Sequence, residues 1–146
     1  MLNSSLPPPL AGHCEQFDSI AGRIALYSSG GGRPMLLIHS VNAAATSAEI
    51  RPVYDFYAGH RHVFALDLPG FGLSDRSNRP YTVRLMTDSI HAAADAIRSQ
   101  SEGQPIDVLA ASLSCEFAAR AAVEGAPFRQ HMAHVIPSRV AASTVS

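Results

Sequence analysis

A serine between a short apolar segment and a helical pattern is the residue of this chain best suited to chemistry. Ser112 follows the apolar segment Ile106–Leu109, and a pattern of helical spacing begins at Cys115. A serine at a strand-to-helix turn is held away from the sheet, and the N–H groups of the new helix point toward whatever it attacks. This arrangement favours acyl transfer. A small residue packed in a tight turn would give the same pattern, so the serine alone leaves both interpretations open.

Three short, continuous apolar segments predict strands that are covered on both faces. They are Pro34–His39, His62–Leu68 and Ile106–Ala110. Helical spacing of apolar residues follows each of them; the segments are Ser47–Tyr57, Val83–Ser99 with Thr82 as N-cap, and Ser114–Val123. Alternating strands and helices with short connections imply parallel strands joined by right-handed crossovers. We therefore predict an α/β fold with a mainly parallel sheet and flanking helices.

Weaker patterns set the predicted limits of this domain. Rough alternation over Phe17–Ser28 predicts an antiparallel hairpin, and Ala133–Ile136 is predicted as a fourth strand after the three buried ones. Residues 1–15 are rich in proline and serine and are predicted to form an irregular leader. The domain is predicted to span residues 16–136, followed by an irregular tail over residues 137–146.

Composition narrows the class of protein. The chain has 146 residues, a net charge of −1, 47% hydrophobic and 16% charged residues, which is typical of one globular domain. Near-neutral charge gives no reason to expect nucleic acid or an anionic membrane as a partner. With no apolar run of about 18 residues and no signal-peptide pattern, the protein is expected to be cytoplasmic. Cys14, in the leader, and Cys115 are expected to remain reduced.

Three loops that follow the buried strands carry a resemblance. They are His39–Ala43, Asp67–Ser74 and Ala110–Ser114. Together, in this order, they resemble the N-terminal half of the α/β-hydrolase fold, and the resemblance covers roughly residues 17–125. The middle loop has the pattern Asp-x-x-Gly-x-Gly-x-Ser, which in that family follows the fourth strand, and it is the strongest single match. In the first loop, Ser40 stands where the family usually has glycine.

The resemblance implies roles for three residues. Ser112 matches the nucleophile of the family, and Leu113, directly after it, matches the first main-chain donor of the oxyanion hole. Val41 matches the second donor. Donors of this kind stabilise charge that appears on the carbonyl oxygen, typically by about 3–4 kcal/mol each. Ala110 and Ser114, two residues before and after the serine, replace the glycines that are usual there.

The remaining members of a catalytic triad do not match. In this family the acid and the histidine follow the nucleophile in the chain. Downstream of Glu124 there is no Asp or Glu, and His131 and His134 lie before or inside the predicted fourth strand. Without a base a serine hydroxyl is a weak nucleophile. We therefore expect a truncated hydrolase of ester- or amide-cleaving ancestry, inactive alone and acting on a small molecule if active. The alternatives are a non-catalytic binding or interaction module on the same fold, or a separate chain that contributes the acid and the histidine.

Other candidate residues are expected to be structural. Asp67 is expected to hold its loop, and His39 to be a hydrogen-bonded residue at a strand end, rather than to act as acid or base. Gly30–Gly32 precede a strand, so the dinucleotide-binding pattern is absent and no cofactor is expected. His60 and His62 have no ligand partners at suitable spacing, so no metal is expected. A missing second half would leave an open sheet edge, through which a complementing or self-associating chain could bind.

Overall fold

In the described part of the chain there are six strands and three α-helices, and they alternate from the third strand onward. A computed structural model describes residues 9–42 and 45–136, with residues 130–136 described by their main chain alone. The strands are β1 (His13–Ser19), β2 (Gly22–Ser29), β3 (Pro34–Ile38), β4 (His62–Asp67), β5 (Ile106–Ala111) and β6 (Phe128–Ile136). The helices are α1 (Arg51–Ala58), α2 (Val83–Gln100) and α3 (Ser114–Val123), and a 3-10 helix (Ser47–Ile50) precedes α1.

The strands form one sheet in the order β1-β2-β4-β3-β5-β6. β1 pairs with β2, and β2 with β4, in antiparallel fashion, whereas the pairs β4–β3, β3–β5 and β5–β6 are parallel. The predicted α/β fold with a mainly parallel sheet is confirmed. Because β4, β3 and β5 are parallel neighbours, the loops that follow them meet at one edge of the sheet, which we call the C-terminal edge.

Both faces of the sheet are covered. On one face, α2 and α3 pack on a cluster that includes Leu36, Phe64 and Val108. On the other, α1 packs on a smaller cluster around Tyr27 and Tyr54. This covering explains why β3 and β4 appear in the sequence as continuous apolar runs. None of the described helices combines the length and apolar character that a membrane span requires.

The helices begin where local chemistry predicts. The Thr82 hydroxyl accepts a hydrogen bond from the Leu85 N–H at 3.1 Å and so caps α2. Pro52 lies in the first turn of α1, where its missing N–H costs nothing. The segment before it forms the 3-10 helix rather than part of α1. α3 spans Ser114–Val123 as predicted.

The edge strands are longer than predicted. β1 begins at His13, inside the segment predicted to be an irregular leader, and Cys14 therefore lies in a strand. Pairing with β2 sets this limit, since His13 lies opposite Ser28. β6 begins at Phe128, five residues before its predicted start at Ala133. Near this start, Arg129 Nε lies 3.1 Å from Asp107 Oδ1 on the neighbouring strand. Residues 1–8 of the predicted leader and the whole predicted tail lie outside the described residues.

Candidate active site

Ser112 occupies a sharp corner between β5 and α3. β5 ends at Ala111 and α3 begins at Ser114, so two residues make the turn. Ser112 has a φ of 55°, in the left-handed region that costs a residue with a side chain about 1–2 kcal/mol. The Ser112 carbonyl accepts a hydrogen bond from the Cys115 N–H at 3.0 Å, which begins the helix. A strained, partly exposed serine at such a corner is the kind of outlier that points to function rather than to packing.

Replacing this serine with glycine is expected to stabilise the fold. Ser112→Gly removes the Cβ atom from a left-handed position, and the relief exceeds the greater chain entropy of glycine, so the free energy of unfolding rises by about 1 kcal/mol. Glu102→Gly, at a φ of 57°, is the matched control and should gain a similar amount. Ser112→Ala keeps the strain and should gain nothing. Urea denaturation measures all three, and a loss of stability in Ser112→Gly would contradict the account.

A carboxylate fixes the loop that follows β3. Glu49, in the 3-10 helix, accepts the Ser40 N–H through Oε1 at 2.9 Å and the Ser40 hydroxyl through Oε2 at 2.6 Å. The Asn42 side-chain amide also donates to the Ser40 hydroxyl, at 2.9 Å. A glycine at position 40 would supply the main-chain donor as well, so the serine adds the second, hydroxyl donor of this two-point contact. This contact sets the path of the main chain on either side of Val41.

A second contact joins this loop to the serine corner. The Ser114 hydroxyl donates to the His39 carbonyl at 2.5 Å, and the Ser114 side chain is fully buried. The two loops lie side by side because β3 and β5 are neighbours, with Ile38 opposite Ala110. Ser114, which replaces a glycine of the family pattern, thus links the segment of Val41 to the first turn of α3. The three predicted site residues follow these two neighbouring strands.

The N–H groups of Val41 and Leu113 are available at this edge. Over residues 9–42 and 45–136, neither main-chain N–H has a hydrogen-bond acceptor. Leu113 immediately precedes α3, and its side chain is 44% exposed, so the start of this helix faces solvent. Free N–H groups at a helix start favour negative charge. The corner therefore combines a hydroxyl with uncommitted donors.

His39 is a structural residue, as predicted. Its Nε2 atom accepts the Leu68 N–H at 3.0 Å, so the ring proton lies on Nδ1, which donates to the Ser40 carbonyl at 2.6 Å. Burial lowers the pKa of the imidazole below its ordinary value of 6.5. His39 is therefore neutral near pH 7, with both nitrogens occupied, and it cannot accept a proton from Ser112.

Asp67 holds the loop after β4, also as predicted. Its side chain is buried, Oδ1 accepts the Ser47 N–H at 3.0 Å, and Oδ2 accepts the Leu73 N–H at 3.0 Å. The Ser74 hydroxyl donates to the Asp67 carbonyl at 2.5 Å and accepts the Ala25 N–H at 2.9 Å. The acid and the last serine of the Asp-x-x-Gly-x-Gly-x-Ser motif are thus explained by loop structure.

A cavity of about 490 Å³ opens between the loops after β3 and β4 and the start of α2. Its lining is formed by Val41, Pro69, Gly70, Phe71, Arg76, Tyr81 and Met86. Arg76 is the charged residue of this lining. Neither Arg76 nor Glu49 was predicted from the sequence, because no spacing or motif relates either residue to the serine corner.

No protein-family model and no curated protein matches the chain, whereas many solved structures do. An α/β hydrolase from Sphaerobacter thermophilus is 28% identical, with a TM-score of 0.65 over 78% of this chain and 42% of that one. An N-formylmaleamic acid deformylase from Pseudomonas putida is 22% identical, with a TM-score of 0.66 over 86% and 46%. A meta-cleavage product hydrolase from Pseudomonas fluorescens is 23% identical, with a TM-score of 0.67 over 77% and 41%.

The chain has the α/β-hydrolase fold, which confirms the resemblance carried by its three loops. It spans less than half the length of these three structures. The sheet described here is correspondingly an incomplete version of that fold. The low identities make this a likeness of fold.

Proposed function

We propose that this chain carries the nucleophile and the oxyanion-binding groups of a serine ester or amide hydrolase. Ser112 is the nucleophile, and the main-chain N–H groups of Val41 and Leu113 are the oxyanion donors. The observation that carries the proposal is the left-handed φ of 55° at Ser112, at a β5–α3 corner beside the loop that contains Val41. Hydrolase-fold neighbours support the same class of chemistry.

The proposed reaction is acyl transfer through an acyl-serine. The Ser112 oxygen attacks the carbonyl carbon of the substrate, and the carbonyl oxygen becomes an anion that accepts hydrogen bonds from the Val41 and Leu113 N–H groups. The bond to the alcohol or amine then breaks, and this leaving group departs with the proton that the Ser112 hydroxyl gave up. Water cleaves the resulting ester of Ser112, which releases the carboxylic acid and restores the hydroxyl.

Both halves of this reaction need a general base. The sequence contains no residue that matches the position of the base in the family pattern. His39 is committed to structural hydrogen bonds. Residues 125–146, where the family order puts the acid and the histidine, contain no Asp or Glu. We therefore propose that this chain alone lacks the acid and the base of the triad. An activated ester should acylate Ser112 slowly, and the acyl group should then remain, because water is not activated to remove it.

Acetylation by 4-nitrophenyl acetate tests this proposal. Its leaving group departs as 4-nitrophenolate and the Ser112 proton goes to solvent, so we expect a slow release of nitrophenolate that ends when Ser112 carries an acetyl group. Peptide mass mapping locates the group, and hydroxylamine at neutral pH removes any thioester at Cys14 or Cys115. Ser112→Ala should show no acetylation at this corner. Labelling of Ser112 no faster than that of exposed serines such as Ser99 would refute the nucleophile assignment.

The second candidate is a non-catalytic binding module on the same fold. The cavity beside Val41 favours it, as do the structural hydrogen bonds of His39, which prevent that residue from serving Ser112 as a base. Such a module would bind a ligand in the cavity and leave Ser112 unmodified, so the acetylation experiment separates the two. For either function, β6 lies at the end of the sheet and pairs only with β5 within the described chain. This edge is where a complementing or self-associating chain would bind.

A further inference from the structure

We infer that the cavity between the loops after β3 and β4 is a substrate-binding subsite. It binds an aromatic or alkyl group that carries a carboxylate, and Arg76 binds this carboxylate. The inference deepens the proposed function and rests on it for the identification of the cavity as part of a hydrolase site. Binding of the carboxylate is a separate property, and it can be measured without any reaction at Ser112.

The lining of the cavity is mainly apolar, with Arg76 as its charged residue and Tyr81 as a second polar side chain. Val41 and Phe71 contribute from the two loops, and Met86 contributes from α2. The volume of about 490 Å³ lies within the range of sites for small ligands, roughly 300–1,000 Å³. Val41 belongs both to this lining and to the proposed oxyanion hole, so the cavity adjoins the loop that would supply an oxyanion donor. The walls thus favour an aromatic or alkyl body next to the reacting carbonyl.

Arg76 brings a charge to this lining that no neighbouring acid neutralises. Its neighbour Asp75 accepts the Ser77 N–H at 2.8 Å and lies 3.5 Å from the Arg79 guanidinium. Arg79 also donates to the Ala21 carbonyl at 2.7 Å. In the part of the chain that the structure describes, Arg76 itself forms no ion pair. The loop therefore pairs Arg79 internally, whereas the exposed guanidinium of Arg76 remains available to a ligand in the cavity.

The buried acid of the neighbouring loop does not compete for this arginine. Both carboxylate oxygens of Asp67 accept main-chain N–H groups, and the side chain is 1% exposed. A guanidinium holds a carboxylate with two parallel hydrogen bonds, which an ammonium on the ligand cannot accept. An anionic ligand should therefore be preferred over a neutral one of the same shape, and a cationic ligand should be rejected.

The test is a titration of the isotope-labelled whole chain with three ligands of one shape, followed by NMR. The ligands are 4-phenylbutanoate, 4-phenylbutanamide and 4-phenylbutylamine. We expect the carboxylate to bind about threefold to tenfold more tightly than the amide, with shifts at Gly70 and Phe71, and the amine to bind most weakly. Arg76→Gln should abolish the preference, and Arg76→Lys should keep part of it. Arg98→Gln, in the last turn of α2, removes the same charge away from the cavity and should change nothing.

Equal affinities for carboxylate and amide in the unmodified chain would overturn the inference, as would a preference that survives Arg76→Gln or an absence of binding. Acetylation of Ser112 is measured separately on the same preparation. A carboxylate preference without acetylation would refute the hydrolase function and keep the binding site. Acetylation without a carboxylate preference would refute only the subsite.

Discussion

Asp67→Ala is expected to lower the free energy of unfolding by about 3–5 kcal/mol, the largest stability effect predicted for this chain. The buried carboxylate accepts the N–H groups of Ser47 and Leu73, each at 3.0 Å. Alanine leaves both donors without an acceptor in the interior, and it opens space under the loop. Urea denaturation of the unmodified protein and of the variant, fitted with the same baselines, measures the effect.

Two further variants test the cause of this loss. Asp67→Asn keeps the shape and one acceptor but turns an amide NH₂ toward the other N–H, so it should lose about half as much. Gly72→Ala disturbs the same contact from the other side, because an added Cβ would lie 2.2 Å from Asp67 Oδ2 and the position has a φ of 53°. Asp18→Ala, at an exposed position of β1, is the control and should change little. A loss below 1 kcal/mol in Asp67→Ala would contradict the structural role of the motif.

The contacts of Asp67 show that the Asp-x-x-Gly-x-Gly-x-Ser motif, the strongest sequence match, has a structural role. The loop with this motif contains an acid and a serine, which are residue types common in active sites. Both side chains, however, form hydrogen bonds with the main chain. Position 70 needs a glycine because a Cβ atom there would lie 2.8 Å from the Tyr81 ring. The motif thus positions the cavity wall and the loop beside it, and neither of its polar side chains takes part in the acyl transfer that we propose for Ser112.

Central strands and helices were predictable because their signals are local. β3 and β4 are covered on both faces, so each appears as a continuous apolar run, and α3 begins at the residue where its pattern begins. The edge strands carry no such signal. β1 is half exposed, and its first residues are strand only because β2 lies opposite them. A strand whose limits are set by its partner cannot be bounded from its own residues.

The same distinction applies to the candidate site. The turn at Ser112 was predictable, since a strand pattern and a helix pattern meet there with small residues between them. The contact between Ser114 and His39 joins residues 75 positions apart, and the cavity brings Arg76 near Val41 from different loops. No periodicity or motif relates these residues. They become neighbours only when β3, β4 and β5 pair in parallel.

Glu49→Ala should slow acetylation of Ser112 by about tenfold to a hundredfold, the largest expected effect on reactivity from a residue that does not contact the substrate. The Glu49 carboxylate holds the Ser40 N–H and hydroxyl at 2.9 and 2.6 Å, and Ser40 immediately precedes Val41. Without it, the loop relaxes and the Val41 N–H leaves the position at which, in the proposed reaction, it meets the developing oxyanion. Burst-phase release of nitrophenol measures the rate, with protein concentrations corrected for the folded fraction.

Glu49→Gln separates positioning from charge. Its amide oxygen can still accept the Ser40 N–H, and its NH₂ can donate to the Ser40 oxygen, so the loop should keep its path and most of the rate should remain. If alanine and glutamine slow the reaction equally, the negative charge rather than the geometry is responsible. If neither slows it, the Val41 N–H does not stabilise the transition state, and Leu113 alone supplies the oxyanion hole. A slowed reaction in alanine with a near-normal rate in glutamine is the result that positioning requires.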